Sequence, residues 1–107
     1  MDFKERITEH IEKSIETKEK VLSRHLEGIE KIGRTLAEVL DNGGKIMFCG
    51  NGGSAADSQH LAAELVVRLR GNINRRALPA LALTVDPSIM TAGGNDIGFD
   101  NVFARGV

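Results

Sequence analysis

Apolar side chains recur at helical spacing through the first 41 residues, which contain no proline. A repeat of three to four residues predicts amphipathic helix. The stripe lapses between Thr17 and Lys20, so the pattern predicts two helices, or one kinked helix, with a boundary there. Such helices pack either on their own domain or on another subunit, and the pattern leaves both open. The stripe residues are Phe3, Ile7, Ile11 and Ile15, followed by Leu22, Leu26, Ile29, Ile32, Leu36 and Leu40.

Two short apolar runs follow, each bounded by glycine or polar residues. They are Lys45–Cys49, which comes after a helix-ending turn at Asp41–Gly44, and Ala80–Thr84. Short apolar runs between turn residues are typical of strands buried on both faces, as in a parallel sheet. Between the two runs, Gly50–Gly53 predicts a turn, and a helix is expected over residues 54–70.

The alternation of strand and helix, with glycines after the strands, predicts an open α/β sheet. After the second strand we expect a short helix opening at Asp86–Ser88, a flexible polar turn at Gly93–Asp96, and a last helix capped by Asp100. Ligands of open α/β sheets bind beyond the carboxyl ends of the strands, where both Gly-rich turns are expected. Sheets usually have about five or six strands, so two strands indicate part of a larger α/β domain.

Composition excludes several classes of function. Fourteen basic and fifteen acidic residues give 107 residues a formal net charge of -1, so no global positive field attracts DNA or an anionic membrane. Aromatic residues make up 4%, without Trp or Tyr, which disfavours a base-stacking platform. The N-terminus does not resemble a signal peptide and no run approaches the roughly 20 apolar residues of a membrane span. We therefore expect a cytoplasmic protein.

The turn Gly50–Gly53 is a candidate binding loop. Glycines allow a sharp turn and the close approach of a ligand to backbone N–H groups, which at the start of a helix favour a negative or polar group. Ser54 is the expected N-cap, and Asp57 three residues later completes a capping-box pattern. The geometry of a simple strand-to-helix turn also explains the glycines, so a binding loop and a purely structural turn both remain open. The spacing matches neither the dinucleotide fingerprint nor a P-loop.

His60 and Glu64 are four residues apart, which places them side by side on the following helix. They flank a stripe of Leu61, Leu65 and Leu69, with Ala62 and Val66 beside it, which is expected to pack on the sheet. A His/Glu pair at this spacing ligates a metal or transfers protons, and it also occurs as a simple surface pair.

Two further features are interpreted structurally. Cys49, the single cysteine, ends the first strand and is expected to be a small buried hydrophobe rather than a nucleophile. Four arginines near the end of the helix over residues 54–70 and beyond it form a local basic cluster, which is interpreted by default as a solvated loop and, as the less favoured alternative, as attracting phosphate from a neighbouring subunit; they are Arg68, Arg70, Arg75 and Arg76.

Three separated motifs make the chain resemble the sugar isomerase (SIS) domain family, strongly from Gly44 to Arg105 and weakly over the N-terminal helices. The motifs are CGNGGSAADSQHLAAEL, LPALALTVD and GGNDIGFDNVFAR. The resemblance implies an N-terminal helical oligomerisation segment over residues 1–41. It implies the first part of a parallel-sheet SIS domain, a flavodoxin-like sandwich incomplete at the C-terminus, over residues 42–107.

The resemblance also implies an activity: the aldose–ketose isomerisation of D-sedoheptulose 7-phosphate to D-glycero-D-manno-heptose 7-phosphate, which supplies bacterial lipopolysaccharide cores. Glu64 would be the base that moves a proton between C1 and C2, and His60 and Glu64 would be zinc ligands in the members that bind zinc. The family forms homotetramers whose N-terminal helices pack between subunits. Substrate contacts are implied for Asn51, Gly52, Gly53, Glu64, Asn95 and Asp96.

The family pattern extends beyond the matched region, through a Ser/Thr-rich turn that grips phosphate and a late helix that supplies a Gln and a second His. Ala104–Val107 already depart from that pattern, and the 107-residue chain alone is expected to lack normal isomerase activity. An alternative is a non-catalytic SIS tetramer that binds the replication initiator, but the corresponding position there is not acidic, so Glu64 favours the enzyme. A regulatory sugar-phosphate-binding domain is ranked last, since the sequence shows no basic helix pair for DNA.

Overall fold

The computed structural model describes residues 2–107, which divide into two compact units, one ending at Ala37 and the other running Glu38–Val107. None of the helices in the described part of the chain combines the length and apolarity needed to cross a bilayer. The elements in chain order are α1 (Phe3–Arg24), α2 (Leu26–Asp41), β1 (Ile46–Phe48), α3 (Gly53–Val66), β2 (Ala80–Ala82), α4 (Pro87–Asp96), a 3-10 turn (Phe99–Asn101) and α5 (Val102–Gly106).

The break between the N-terminal helices lies at His25, so the predicted boundary near Thr17–Lys20 is wrong. At that earlier position Thr17 Oγ1 donates to the Lys13 carbonyl (2.9 Å), and Lys20 pairs with Glu16 (2.7 Å). Lys and Glu are good helix formers, and their pairs at i,i+4 support a helix without any apolar contact. Among the described residues of α1 and α2 none is buried, and Phe3, at the start of the stripe, is 78% exposed.

The predicted parallel α/β arrangement is confirmed in the second unit. β1 pairs with β2 in parallel, with Ile46 opposite Ala80 and Phe48 opposite Ala82. The ladder extends on both sides, where Ile46 N donates to the Pro79 carbonyl (3.0 Å) and Leu83 N donates to the Phe48 carbonyl (2.8 Å). The helix-ending turn before β1 is also as predicted, with Gly43 at φ +78°.

The predicted burial of both sheet faces is wrong, because α3 is the one helix among the described residues that packs on these strands. Ile46 and Ala82 are buried, whereas Leu81 is exposed. The predicted packing face of α3 is confirmed at Ala62 and in part at the half-buried Leu65, but not at the other positions of the stripe. Ser58 and Ala62 are the buried residues of this helix, and the leucines at 61 and 69 are exposed.

The segment after β2 is more helical than predicted. A helix opens at Asp86–Ser88, as expected, and the structure shows that Asp86 caps it by accepting from Ile89 N (3.0 Å). The helix then continues to Asp96, so the predicted turn at Gly93–Asp96 is wrong. Glycine at 93 permits close packing, since an added Cβ would lie 3.2 Å from a methyl group of the buried Val102.

Asp100 does not cap a helix, contrary to the prediction. It lies within the 3-10 turn Phe99–Asn101, and α5 begins after Asn101, which makes no side-chain cap bond.

Candidate functional site

The Gly-rich loop after β1 is closed by a reciprocal pair of hydrogen bonds. Asn51 N donates to Ser54 Oγ (2.7 Å), and the same hydroxyl donates to the Asn51 carbonyl (2.9 Å). Gly52, at φ +55°, is the N-cap of α3, so the predicted Ser54 cap and its capping box with Asp57 are wrong. Ser54 instead holds the loop shut from the first turn of the helix. The backbone N–H groups at the start of α3 thus belong to a loop with a defined shape.

His60 and Glu64 lie side by side on α3, as their spacing predicts. The His60 Nε2 to Glu64 Oε1 distance is 3.0 Å. A neutral imidazole can contact a carboxylate in this way only as a donor, which requires the tautomer protonated at Nε2. The side chain of Glu64 is 27% exposed and that of His60 75% exposed. Both line an open cleft of about 540 Å³, whose other lining residues are Asp57, Leu61 and Leu69.

His60 Nε2 and Glu64 Oε1, 3.0 Å apart, are hydrogen-bonded to each other directly. Two ligand atoms of one tetrahedral zinc ion, with bonds of about 2.0–2.2 Å, lie about 3.3–3.6 Å apart, so this pair would hold zinc only after the imidazole gives up the contact and turns a ring lone pair to the ion. Among residues 2–107 no group of three or more His, Cys, Asp or Glu side chains is placed to hold a metal. By residue type and proximity His60 and Glu64 suit two positions of a zinc site, and the described residues bring no third such side chain to them.

Asn95 and Asp96 lie apart from this cleft. They form the last residues of α4, with Asn95 Nδ2 donating to Asp96 Oδ1 (3.2 Å). Asp96 lines a different cavity of about 230 Å³, formed by residues of α4, α5 and the segment between them. Among the described residues α4 makes no contact with α3, and the two cavities share no lining residue.

Arg75 is a site residue that the sequence interpretation missed. α3 ends at Val66, four residues before the predicted end, and Arg75 donates from Nη2 to the Glu64 carbonyl and from Nη1 to the Leu65 carbonyl, both at 2.8 Å. Arg75 is half-buried, so its assignment to a solvated basic loop is wrong. No sequence pattern indicated this role of Arg75, because the two carbonyls that it bonds are ten and eleven residues away, and spacing along the chain does not predict contacts at that separation.

Cys49 is also placed differently from the prediction. It follows β1 directly and is exposed rather than buried. The strand ends one residue earlier than predicted, so Cys49 belongs to the loop.

A family model for the SIS domain matches residues 9–107, and the chain belongs to the SIS domain family. Its sequence is similar to phosphoheptose isomerases: it is 52% identical to that of Chlorobaculum parvum over 103 residues, which is 96% of this chain and 49% of that protein. It is 59% identical to that of Akkermansia muciniphila over 86 residues, or 80% of this chain and 44% of that protein. The chain thus spans about half the length of the curated relatives it matches.

The fold is similar to solved structures of phosphoheptose isomerases. The structure of GmhA from Neisseria gonorrhoeae superimposes with a TM-score of 0.83 at 41% identity, covering 97% of this chain and 52% of that one. A structure from Francisella tularensis gives a TM-score of 0.88 at 34% identity, covering 98% of this chain and 54% of that one. The helix-rich α/β architecture with its small parallel sheet is therefore that of the family.

Proposed function

We propose that this chain carries the proton-transferring part of an isomerase site that converts D-sedoheptulose 7-phosphate to D-glycero-D-manno-heptose 7-phosphate for bacterial lipopolysaccharide core synthesis. The observation that supports this most is the position of Glu64. It lies in an open cleft, with His60 Nε2 3.0 Å from its carboxylate, in a chain about half identical to phosphoheptose isomerases. The function would take place in the cytoplasm.

Aldose–ketose isomerisation moves one proton between C1 and C2 and a second proton between O1 and O2, through an enediol. It requires a carboxylate that accepts the proton from carbon and returns it to the neighbouring carbon, together with donors that stabilise the developing enediolate charge. Glu64 has the base role in this proposal. His60 orients the carboxylate through the oxygen that it contacts, which leaves the second oxygen for the proton.

Zinc is the proposed cofactor, with His60 and Glu64 as two of its ligands. When bound, zinc polarises a substrate oxygen as a Lewis acid. When zinc is bound, His60 would ligate it through a ring nitrogen instead of donating to Glu64, and Glu64 would use one oxygen as the ligand and keep the other for the proton.

The binding loop and Glu64 lie at opposite ends of α3. Eleven residues separate Gly53 from Glu64, which corresponds to about 16 Å of helix rise. A single reacting carbon cannot contact both ends, so the loop Asn51–Gly53 holds another part of a sugar phosphate or serves a site completed by a second copy. Asn95 and Asp96, which would also hold the sugar, likewise lie outside the Glu64 cleft. The proposed site is therefore assembled from several segments.

A homotetramer is the proposed assembly, with α1 and α2 as its contact surface. The stripe side chains of both helices are exposed, including Ile7 (58%) and Ile11 (57%). Burying apolar surface of this kind is favourable by about 25 cal/mol per Å².

We expect sedimentation to show the mass of four chains, and the paired change of Ile7 and Ile11 to Lys to yield monomers. Glu12→Lys, on the polar side of α1, is the control, and a monomeric parent would contradict the proposal.

The proposed activity is tested in a hybrid enzyme, in which this chain is joined to the part of the Chlorobaculum parvum relative beyond the matched region. We expect the hybrid to convert sedoheptulose 7-phosphate at a rate comparable with that of the relative, measured by a coupled assay of the product. The 107-residue chain assayed alone tests the expectation that it lacks normal turnover. A hybrid with the relative's circular dichroism spectrum but without turnover would contradict the proposed function.

A further inference from the structure

We propose that Arg75 is a positioning residue for Glu64, acting by holding the last turn of α3 in place. This inference rests on the proposed role of Glu64 as the base. The hydrogen bonds of Arg75 all go to backbone carbonyls and none goes to the Glu64 carboxylate. Arg75 acts through the backbone carbonyl of Glu64 itself, which accepts from Arg75 Nη2 at 2.8 Å.

The end of α3 needs outside donors. The last four carbonyls of a helix have no partner within the helix. Here Val67 N donates to the Ala63 carbonyl (2.8 Å). The next two carbonyls in sequence, those of Glu64 and Leu65, accept hydrogen bonds from the two guanidinium nitrogens of Arg75. Two parallel donors in a rigid plane match two consecutive carbonyls, which a lysine ammonium group cannot do.

Charge favours the same arrangement. The last turn of α3 carries Glu64 and three apolar side chains, from Ala63 to Val66, so the cation at the negative end of the helix dipole is supplied by Arg75. The neighbouring arginines Arg68 and Arg76 do not bond the end of α3. Arg68 donates to the Gly71 carbonyl (3.2 Å) and Arg76 to the Ala77 carbonyl (3.4 Å), both exposed contacts within three residues.

Arg75 also ties the irregular segment between α3 and β2 to the helix. Its Nη1 also donates to the Arg76 carbonyl (3.0 Å). Leu78, which lies two residues before β2, donates from its backbone N to the same Leu65 carbonyl that Arg75 contacts (3.1 Å). The end of α3, this segment and the sheet are thus connected at one guanidinium group.

The position of this turn matters for proton transfer. Glu64 lies two residues from the end of α3, where helices fray. A base displaced by about 1 Å from its productive position can lose on the order of 100-fold in rate. Without Arg75, the Leu65 carbonyl would keep only Leu78 N as a donor, the Glu64 carbonyl would turn to water, and the carboxylate would lose its fixed position beside His60.

The first test uses the 107-residue chain itself and nuclear magnetic resonance. We expect Arg75→Met to accelerate amide exchange at Val67 by about tenfold or more, as local opening becomes easier. At a pH where the imidazole is neutral, we also expect ¹⁵N shifts to show loss of the Nε2-protonated preference of His60. Arg76→Met, which removes a neighbouring exposed guanidinium, should change neither signal. If Arg75→Met leaves both signals as in the parent, the inference is overturned.

The second test uses the hybrid enzyme with its active sites titrated. We expect Arg75→Met to lower kcat by about 10- to 100-fold with KM nearly unchanged, and Arg75→Lys not to restore it. Millimolar ethylguanidinium should restore part of the kcat of Arg75→Ala. A role in folding alone would lower the amount of active enzyme and leave kcat per titrated site unchanged, which would overturn the inference.

Failure of this inference is distinguishable from failure of the proposed function. If Glu64→Gln abolishes turnover while Arg75→Met keeps the parent kcat, the result supports Glu64 as the base and refutes Arg75 as its positioning residue. If the parent hybrid does not turn over, the proposed function fails, and the resonance measurements alone decide whether Arg75 holds the turn that carries Glu64.

Discussion

Glu64→Gln in the hybrid enzyme is expected to lower kcat by about 10²- to 10⁴-fold, the usual contribution of a positioned general base. Glutamine has the size of glutamate and can still accept a hydrogen bond from His60, but its amide cannot take a proton from carbon. Replacing the charged acceptor of this partly exposed contact by a neutral one should cost at most about 0.3–0.5 kcal/mol of stability, so the variant remains folded. The measurement is the coupled isomerase assay together with exchange of the substrate C1 and C2 protons in D₂O.

The matched control for this change is Glu16→Gln. Glu16 also pairs with a residue four positions later, Lys20, at 2.7 Å, and lies on the polar side of α1. It should lose a similar surface contact and keep the parent kcat. If Glu64→Gln isomerised normally, Glu64 would not be the base and the proposed mechanism would have to be abandoned.

Gly50→Ala is expected to lower the free energy of unfolding by about 1–3 kcal/mol, the usual cost of forcing an extra group into a packed position. A Cβ at this position would lie 2.5 Å from Ser54 Oγ and 2.6 Å from the Ser54 carbonyl carbon and oxygen. Backbone atoms cannot rotate away as a flexible side chain can. The substitution must therefore displace the turn and break the two hydrogen bonds between Asn51 and Ser54. Urea unfolding of the 107-residue chain measures the change.

Gly53→Ala is the control within the same loop. A Cβ at Gly53 meets no atom within 4 Å, and this glycine is the first residue of α3. Alanine there should be neutral or stabilise the chain by about 0.4–1 kcal/mol, since it reduces the freedom of the unfolded chain. Equal destabilisation by both substitutions would show that the crowding against Ser54 is not the cause.

Local patterns in the sequence were sufficient for several features of the fold and site. Apolar runs between turn residues placed both strands, and helical spacing placed His60 beside Glu64. The helix-ending turn at Asp41–Gly44 and the opening of a helix at Asp86–Ser88 were also predicted. Each of these depends on groups within about four residues of one another, where backbone geometry alone determines which groups meet.

Helix ends and their caps were predicted less well, because they depend on competition between nearby groups. Ser54 is a good N-cap by type, but Gly52 reaches the positive φ that the turn requires, so the helix starts earlier. Gly93 and Gly94 predict a turn by propensity, but packing of α4 against Val102 keeps them helical. Propensity is a weak preference that tertiary contacts override.

The Gly-rich loop, the His60–Glu64 pair and the α/β order were thus determined by the sequence itself, since their causes are local in the chain. The tertiary structure alone decided which face of α3 is buried, that Asn95 and Asp96 lie outside the Glu64 cleft, and that Arg75 bonds the carbonyl of Glu64. These depend on groups that are distant in sequence and meet only when the sheet and helices pack. Spacing along the chain carries no information about such contacts.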